Sequence, residues 1–204
     1  MPACFLIVRR KPLQGQRFAV LEASIESFKS NGHRGLVTSS VTTLGSAHDV
    51  TNTIRFDSFD QCEEFQDRFM ENEEAHVRWD NIAEKCESID VSVGEIVRPM
   101  TNLPQGSENK YIVRHIFTAK PGKRTQLIDL LKENFDSRNA PTNIVRPIGN
   151  INNIRVSRFH ENLESIRAQV EFLQSSENKE RHERVIELTA RVSRSVSRVH
   201  YRQR

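Results

Sequence analysis

The feature that most constrains this chain is that it repeats itself. Phe5–Pro12 (FLIVRRKP) leads into Gly15, Gln16 and Arg17, and Tyr111–Pro121 (YIVRHIFTAKP) leads into Gly122, Lys123 and Arg124. Each reads as a strand, a turn and a helix start. Self-similarity over about 100 residues means one supersecondary unit used twice, so any fold has to accommodate both copies. A helical stripe follows each glycine, with Phe18, Leu21, Ile25 and Phe28 in the first copy and Leu127, Leu130, Leu131 and Phe135 in the second. This is the spacing of one buried helix face. Asn31-Gly32 and Asn139 to Pro141 are the stop signals.

Each copy then returns through a strand, a turn and a strand. In the first these are Val37 to Leu44 and Asn52 to Phe56; in the second, Thr142 to Ile148 and Asn152 to Val156. The shared Asn-x-Ile-Arg of the returning strands is the clearest echo. A second helical stripe matches Phe59, Cys62, Phe65 and Phe69 with Leu163, Ile166, Val170 and Leu173. Further helical turns span Glu73 to Cys86 and Asn178 to Val192, and closing strands lie at Ser88–Val93 and Ser193–Arg198. The order β-α-β-β-α-β implies α+β architecture: two tandem ferredoxin-like units, each an antiparallel sheet with its helices on one face. The expected domains are residues 1–98 and 110–204, joined by a Pro- and Gly-containing linker at 99–109.

A sheet with helices on one face needs a cover for the other, and the simplest cover is the sheet of the second copy. Charge agrees with such intrachain pairing. Residues 1–100 hold 11 Lys and Arg against 16 Asp and Glu, a balance of −5, and residues 101–204 hold 19 against 11, a balance of +8. Leu6, Val8, Val41, Ile112, Ile144 and Val199 are the expected residues of the sheet-to-sheet core. Fusion removes the need for a homodimer and leaves a higher homo-oligomer open.

The short apolar run Ala3 to Val8 ends at Arg9 and reads as a strand rather than a secretory signal. No apolar stretch approaches the roughly 18 residues of a membrane span, so a soluble, cytoplasmic protein without membrane partners is expected. Cys4, Cys62 and Cys86 are widely spaced, with Cys62 and Cys86 on apolar helix positions, and read as reduced packing residues. The seven His are scattered without ligand spacing, so no metal is expected. A basic series at Arg191, Arg194, Arg198, Arg202 and Arg204 raises nucleic-acid binding, but the returning strands lack the exposed aromatics that an RNA-reading sheet uses. No nucleic-acid partner is expected.

With this architecture the chain resembles the dimeric α+β barrel superfamily, as a tandem fusion of units similar to the antibiotic biosynthesis monooxygenases and their haem-degrading relatives. NIPSNAP-like proteins share the architecture. The specific resemblance lies in Glu171–His182 (EFLQSSENKERH), which is similar to the haem-degrading segment running from an aromatic residue to a His ten positions later. The aromatic position, Trp in that family, is Phe172 here. Counting back from Gly122, His115 stands where those enzymes carry an Asn. The first copy has Val8 at that strand position, and a looser Phe65 to His76 with Trp79 one turn further.

The resemblance implies a cofactor-independent monooxygenase acting on a small aromatic or polycyclic molecule, with haem as the alternative cofactor. His182 would be the catalytic base or haem ligand, His115 would orient the substrate, and Phe172, Phe65, His76 and Trp79 would be substrate-binding residues. The alternative is a non-catalytic NIPSNAP-like interaction module. On the residues alone, Lys179–Arg184 also reads as a solvated helix face with i,i+4 charge pairs, His115 as a satisfied core histidine, and Trp79 with Ile82 and Cys86 as core. The asymmetry of the match places a single pocket in residues 110–204.

Overall fold

The computed structural model describes residues 2–41, 49–100 and 109–203. The chain divides into two compact units, Met1–Glu95 with Ser197–Arg204 and Ile96–Val196. The strand expected to run to Leu44 and most of the expected linker, at 101–108, lie outside the described residues.

The first unit runs β1 (Cys4–Pro12), α1 (Arg17–Asn31), β2 (Gly35–Ser40), β3 (Val50–Phe56), α2 (Phe59–Met70), α3 (Glu73–Ala83) and most of β4 (Cys86–Arg98). Antiparallel pairing gives the order β4-β1-β3-β2, and the last residues of the chain add to β2. The second unit repeats this with β5 (Tyr111–Ala119), α4 (Arg124–Asp136), β6 (Thr142–Pro147), β7 (Asn153–His160), α5 (Leu163–Gln174), a 3-10 turn (Ser176–Asn178), α6 (Lys179–Leu188) and the first part of β8 (Thr189–Gln203). The matching glycines have one cause: Gly15 at φ +83° and Gly122 at φ +73° make the left-handed turn into the first helix of each unit.

Cores form beneath the helices. In the first unit Cys4 and Leu6 of β1, Val37 and Ile54 pack with Val20, Phe28 and Cys62. In the second, Leu127, Ile128 and Leu131 of α4 pack on Ile144, Ile154 and Val156, and a smaller group joins Val113, Ile166 and Val196. Leu6 and Ile144 are therefore helix-side residues, not members of a sheet-to-sheet core, and alternation carries Val8 with Leu6. Leu6, Ile7 and Val8 are all buried, and a strand apolar on both faces hides its parity. Val41 is exposed and follows the end of β2.

Phe18 also departs from expectation. It is 68% exposed, while the buried stripe of α1 is Val20, Ser24 and Phe28. Two residues before Val20 is about 200° around a helix, so Phe18 falls on the opposite side. The small Ser24 leaves room for the buried Arg10, whose guanidinium reaches Ser24 Oγ at 3.5 Å and stacks on Trp79 at 5.3 Å. Cys86 opens β4 rather than closing a helix, because α3 stops at Ala83.

One side chain ties the second unit together. Arg98, at the end of β4, is buried; its Nε donates to Asp136 at 2.7 Å, Nη2 donates to the Ala140 carbonyl at 3.2 Å, and Nη1 donates to the Thr142 carbonyl. Its plane lies over Phe135 at 5.9 Å. It thus joins the end of α4 to the start of β6. Arg98→Met would leave two carbonyls without their donor, and we expect a loss of about 2–3 kcal/mol in urea unfolding, with Asp136→Asn costing much less because Asp136 is exposed.

Candidate functional site

An opening follows from an interruption in the helices of the second unit. Helix α5 starts at an Asn162 cap, whose side chain accepts from the Ser165 amide at 2.8 Å. It stops where Ser175 turns extended and donates its hydroxyl to the Phe172 carbonyl at 2.8 Å. Asn178, buried at the break, donates from Nδ2 to the Leu173 carbonyl at 3.3 Å and accepts from Arg138 at 3.5 Å. These bonds fix where α6 begins, and so where Lys179 and His182 project. Thr189 Oγ1 closes α6 by donating to the Val185 carbonyl at 2.7 Å.

Beneath the break lies a cavity of about 450 Å3. His115 of β5, His182 and Lys179 of α6, and Arg194 of β8 line it, with Val170 and Leu173 of α5 as its apolar wall. The structure therefore brings together His115 and His182, which lie 67 positions apart in sequence. A cavity of this size suits a small organic ligand.

The field in this region is positive. Burial pushes the His115 pKa down to about 4, and Arg194 and His160 push in the same direction. The His160 value also falls to about 4, through burial first and then Arg158, with a Gln169 interaction opposing. His160 Nδ1 lies 3.2 Å from Ser165 Oγ. Burial lowers the pKa values of Arg158 and Arg194, and that of Arg138 falls through burial, Arg181 and Arg158. No Asp or Glu is among the described residues lining the cavity. His115 is therefore neutral near pH 7, and no protein group among the described residues hydrogen-bonds its ring; its nearest ring neighbour is Phe117 at 6.1 Å.

The other candidate residues lie elsewhere. Phe172 does not line the cavity; it carries the Arg138 guanidinium at 5.2 Å and so supports the break from outside. In the first unit, Phe65 packs on His33 at 5.2 Å and Phe56 at 5.4 Å. His76 stacks on Phe69 at 4.8 Å and Trp79 meets the same ring at 5.8 Å. All three have packing partners that account for them.

The sequence reading passed over Lys179 as part of a solvated face and took Val170 and Leu173 for core. Their signal was present in Ser175-Ser176, two poor helix residues that interrupt the pattern and open space below it. Among the described residues no His, Cys, Asp and Glu cluster has metal-binding geometry, and no helix is long and apolar enough to cross a membrane.

The His115 and His160 shifts set a pH dependence. Above the ordinary histidine value of 6.5 both states are neutral; below it the unfolded chain takes up protons that the folded chain refuses until about pH 4. Stability attached to the neutral imidazoles is thus lost as pH falls from 6.5 toward 4. Urea midpoints of wild type and His115→Gln should converge over that interval, whereas parallel curves would mean that His115 titrates normally.

No protein-family model and no curated protein sequence matches the chain. Solved structures do match it over nearly its full length. A candidate monooxygenase from Fusobacterium nucleatum shares 11% identity with a TM-score of 0.70, over 97% of this chain and 92% of that one. An anthrone oxidase-like protein shares 16% with a TM-score of 0.66, over 99% and 92%. A haem-binding protein from Thermus thermophilus shares 12% with a TM-score of 0.53, over 98% and 92%. At such identities the likeness speaks of fold, and it agrees with the repeated strand order and helix placement of the two units. The chain shares its fold with these proteins, two ferredoxin-like α+β units carried one after the other in a single polypeptide.

Proposed function

We propose that the cavity of the second unit binds a small aromatic molecule and presents it to dioxygen as a cofactor-independent monooxygenase. The observation that carries this reading is that His115 and His182 line one cavity. His182 is the base: it is exposed, unpartnered among the described residues, and able to take a proton from a phenol or an activated methylene. His115, kept neutral by burial, orients the substrate through a ring nitrogen. Val170 and Leu173, with the carbon stems of Lys179 and Arg194, cover the ring. For a methylene substrate, deprotonation supplies the electron-rich carbanion that dioxygen attacks; one oxygen atom becomes the new carbonyl and the other leaves in water, so CH2 and O2 give C=O and H2O. Similarity to the anthrone oxidase-like and candidate monooxygenase structures supports this choice of chemistry.

Haem is the cofactor the fold also suggests, and the residues fit it poorly. His182 has no acceptor among the described residues to fix its second ring nitrogen, as a metal-bound imidazole needs. Among the described residues only Val170 and Leu173 give the cavity an aliphatic wall, too little for the faces of a porphyrin. A second reading, binding without catalysis, draws on the exposure of His182.

Oxygen uptake with dithranol, a hydroxylated anthrone, separates these. Uptake above the buffer blank should fall about 100-fold in His182→Ala, the scale of a lost general base. A wild-type rate equal to the blank would leave only the binding reading, and a haem titration whose Soret shift disappears in His182→Ala would restore the haem version.

A further inference from the structure

We propose that the ligand of this cavity is an anion, specifically an aromatic carboxylate whose charged group lies between Arg194 and Lys179. The inference rests on the reading of the cavity as a small-aromatic site and adds the charge of its occupant. Two cations from different elements, Lys179 from α6 and Arg194 from β8, line one open depression, and no carboxylate among the described residues lines it. Lys179 has only a long contact with Glu183, at 4.0 Å and exposed to solvent, so its ammonium is not engaged. Partial burial lowers the pKa of Arg194. Both side chains are solvent-exposed at the depression, so their charged ends are free to close on an anion that enters it.

The arrangement is local rather than a consequence of the basic second half. A second depression on the same unit, also about 450 Å3, is lined by Asp129, Glu133 and Glu187 with Arg184. Helix α6 contributes to both, showing Lys179 and His182 to one and Arg184 and Glu187 to the other. Of these two depressions, the one that holds the histidines carries cations without carboxylates.

The chemistry of the occupant follows from the donors. The flat guanidinium fork of Arg194 matches a carboxylate in two-point contact, and Lys179 adds a movable point charge. Ser176, also at the wall, offers a hydroxyl. His115 cannot compete for the anion as a cation, since it stays neutral, but its ring can stack on or hydrogen-bond the aromatic body. Val170 and Leu173 provide apolar surface for the aromatic body.

The test compares 3-hydroxy-2-naphthoate with its methyl ester, which keeps the ring and removes the charge. Both are titrated calorimetrically into the full chain near neutral pH at about 0.1 M salt. The acid should bind at least about tenfold more tightly than the ester. The double variant Lys179→Gln, Arg194→Gln should bind the two alike, and Arg184→Gln, a cation lost from the acidic depression, should keep the preference. Equal affinity of acid and ester for the wild type, or a preference that survives the double variant, overturns the inference while leaving the aromatic pocket intact. If neither compound binds, the pocket reading falls together with the inference.

Discussion

The site depends on the register between β5 and β7. Eight antiparallel pairs, from Tyr111 opposite His160 to Thr118 opposite Asn153, lock these strands together. Because side chains alternate, this register puts Val113 and His115 on the helix side and turns Ile112, Arg114 and Ile116 away. A slip by one residue would send His115 to the opposite face and bring Arg114 under α5. What prevents it is packing: Val113 is fully buried with Ile166 and Val196, so the slip would exchange an apolar contact for a guanidinium. The position of a candidate functional histidine is thus set by the aliphatic residue two places before it.

The second determinant is how the unit handles its positive charge. The two units meet the problem of buried arginine differently. In the first, Arg10 is stacked on Trp79 and reaches Ser24, so an aromatic face and a hydroxyl replace water. In the second, Arg98 is satisfied by two carbonyls and Asp136, whereas the group around the cavity repels itself. Burial first, and the neighbouring cations second, keep His115 and His160 neutral.

The scaffold was far more legible in the sequence than the site. Strand and helix order, the turn glycines and the stripe of α4 were readable because each carries a local period or a backbone requirement. Leu6 and Ile144 were assigned to the wrong face because neighbouring strand residues are also apolar, and the strand period then has nothing to distinguish. Phe18 misled by size, since Val20 and Ser24 form the buried stripe and only one of them looks like core. At the site, His115 and His182 could be named from a resemblance, but that they share a cavity depends on the Asn178 break. Lys179 and Arg194 looked like ordinary surface charge until two distant elements were seen to converge. Phe172 had the right spacing and the wrong direction: it supports Arg138 instead of facing the cavity.

Fusion of the two copies has an evolutionary consequence. In an assembly of identical subunits every substitution is made twice, so a change that builds a pocket in one place must also be tolerated in its mate. Here the copies are separate stretches of one gene product. Val8 can remain a small aliphatic while its counterpart His115 faces a cavity, and Trp79 can be used as a cushion for Arg10 with no matching demand on the second copy. A chain built this way is free to specialise one half while the other serves as plain architecture.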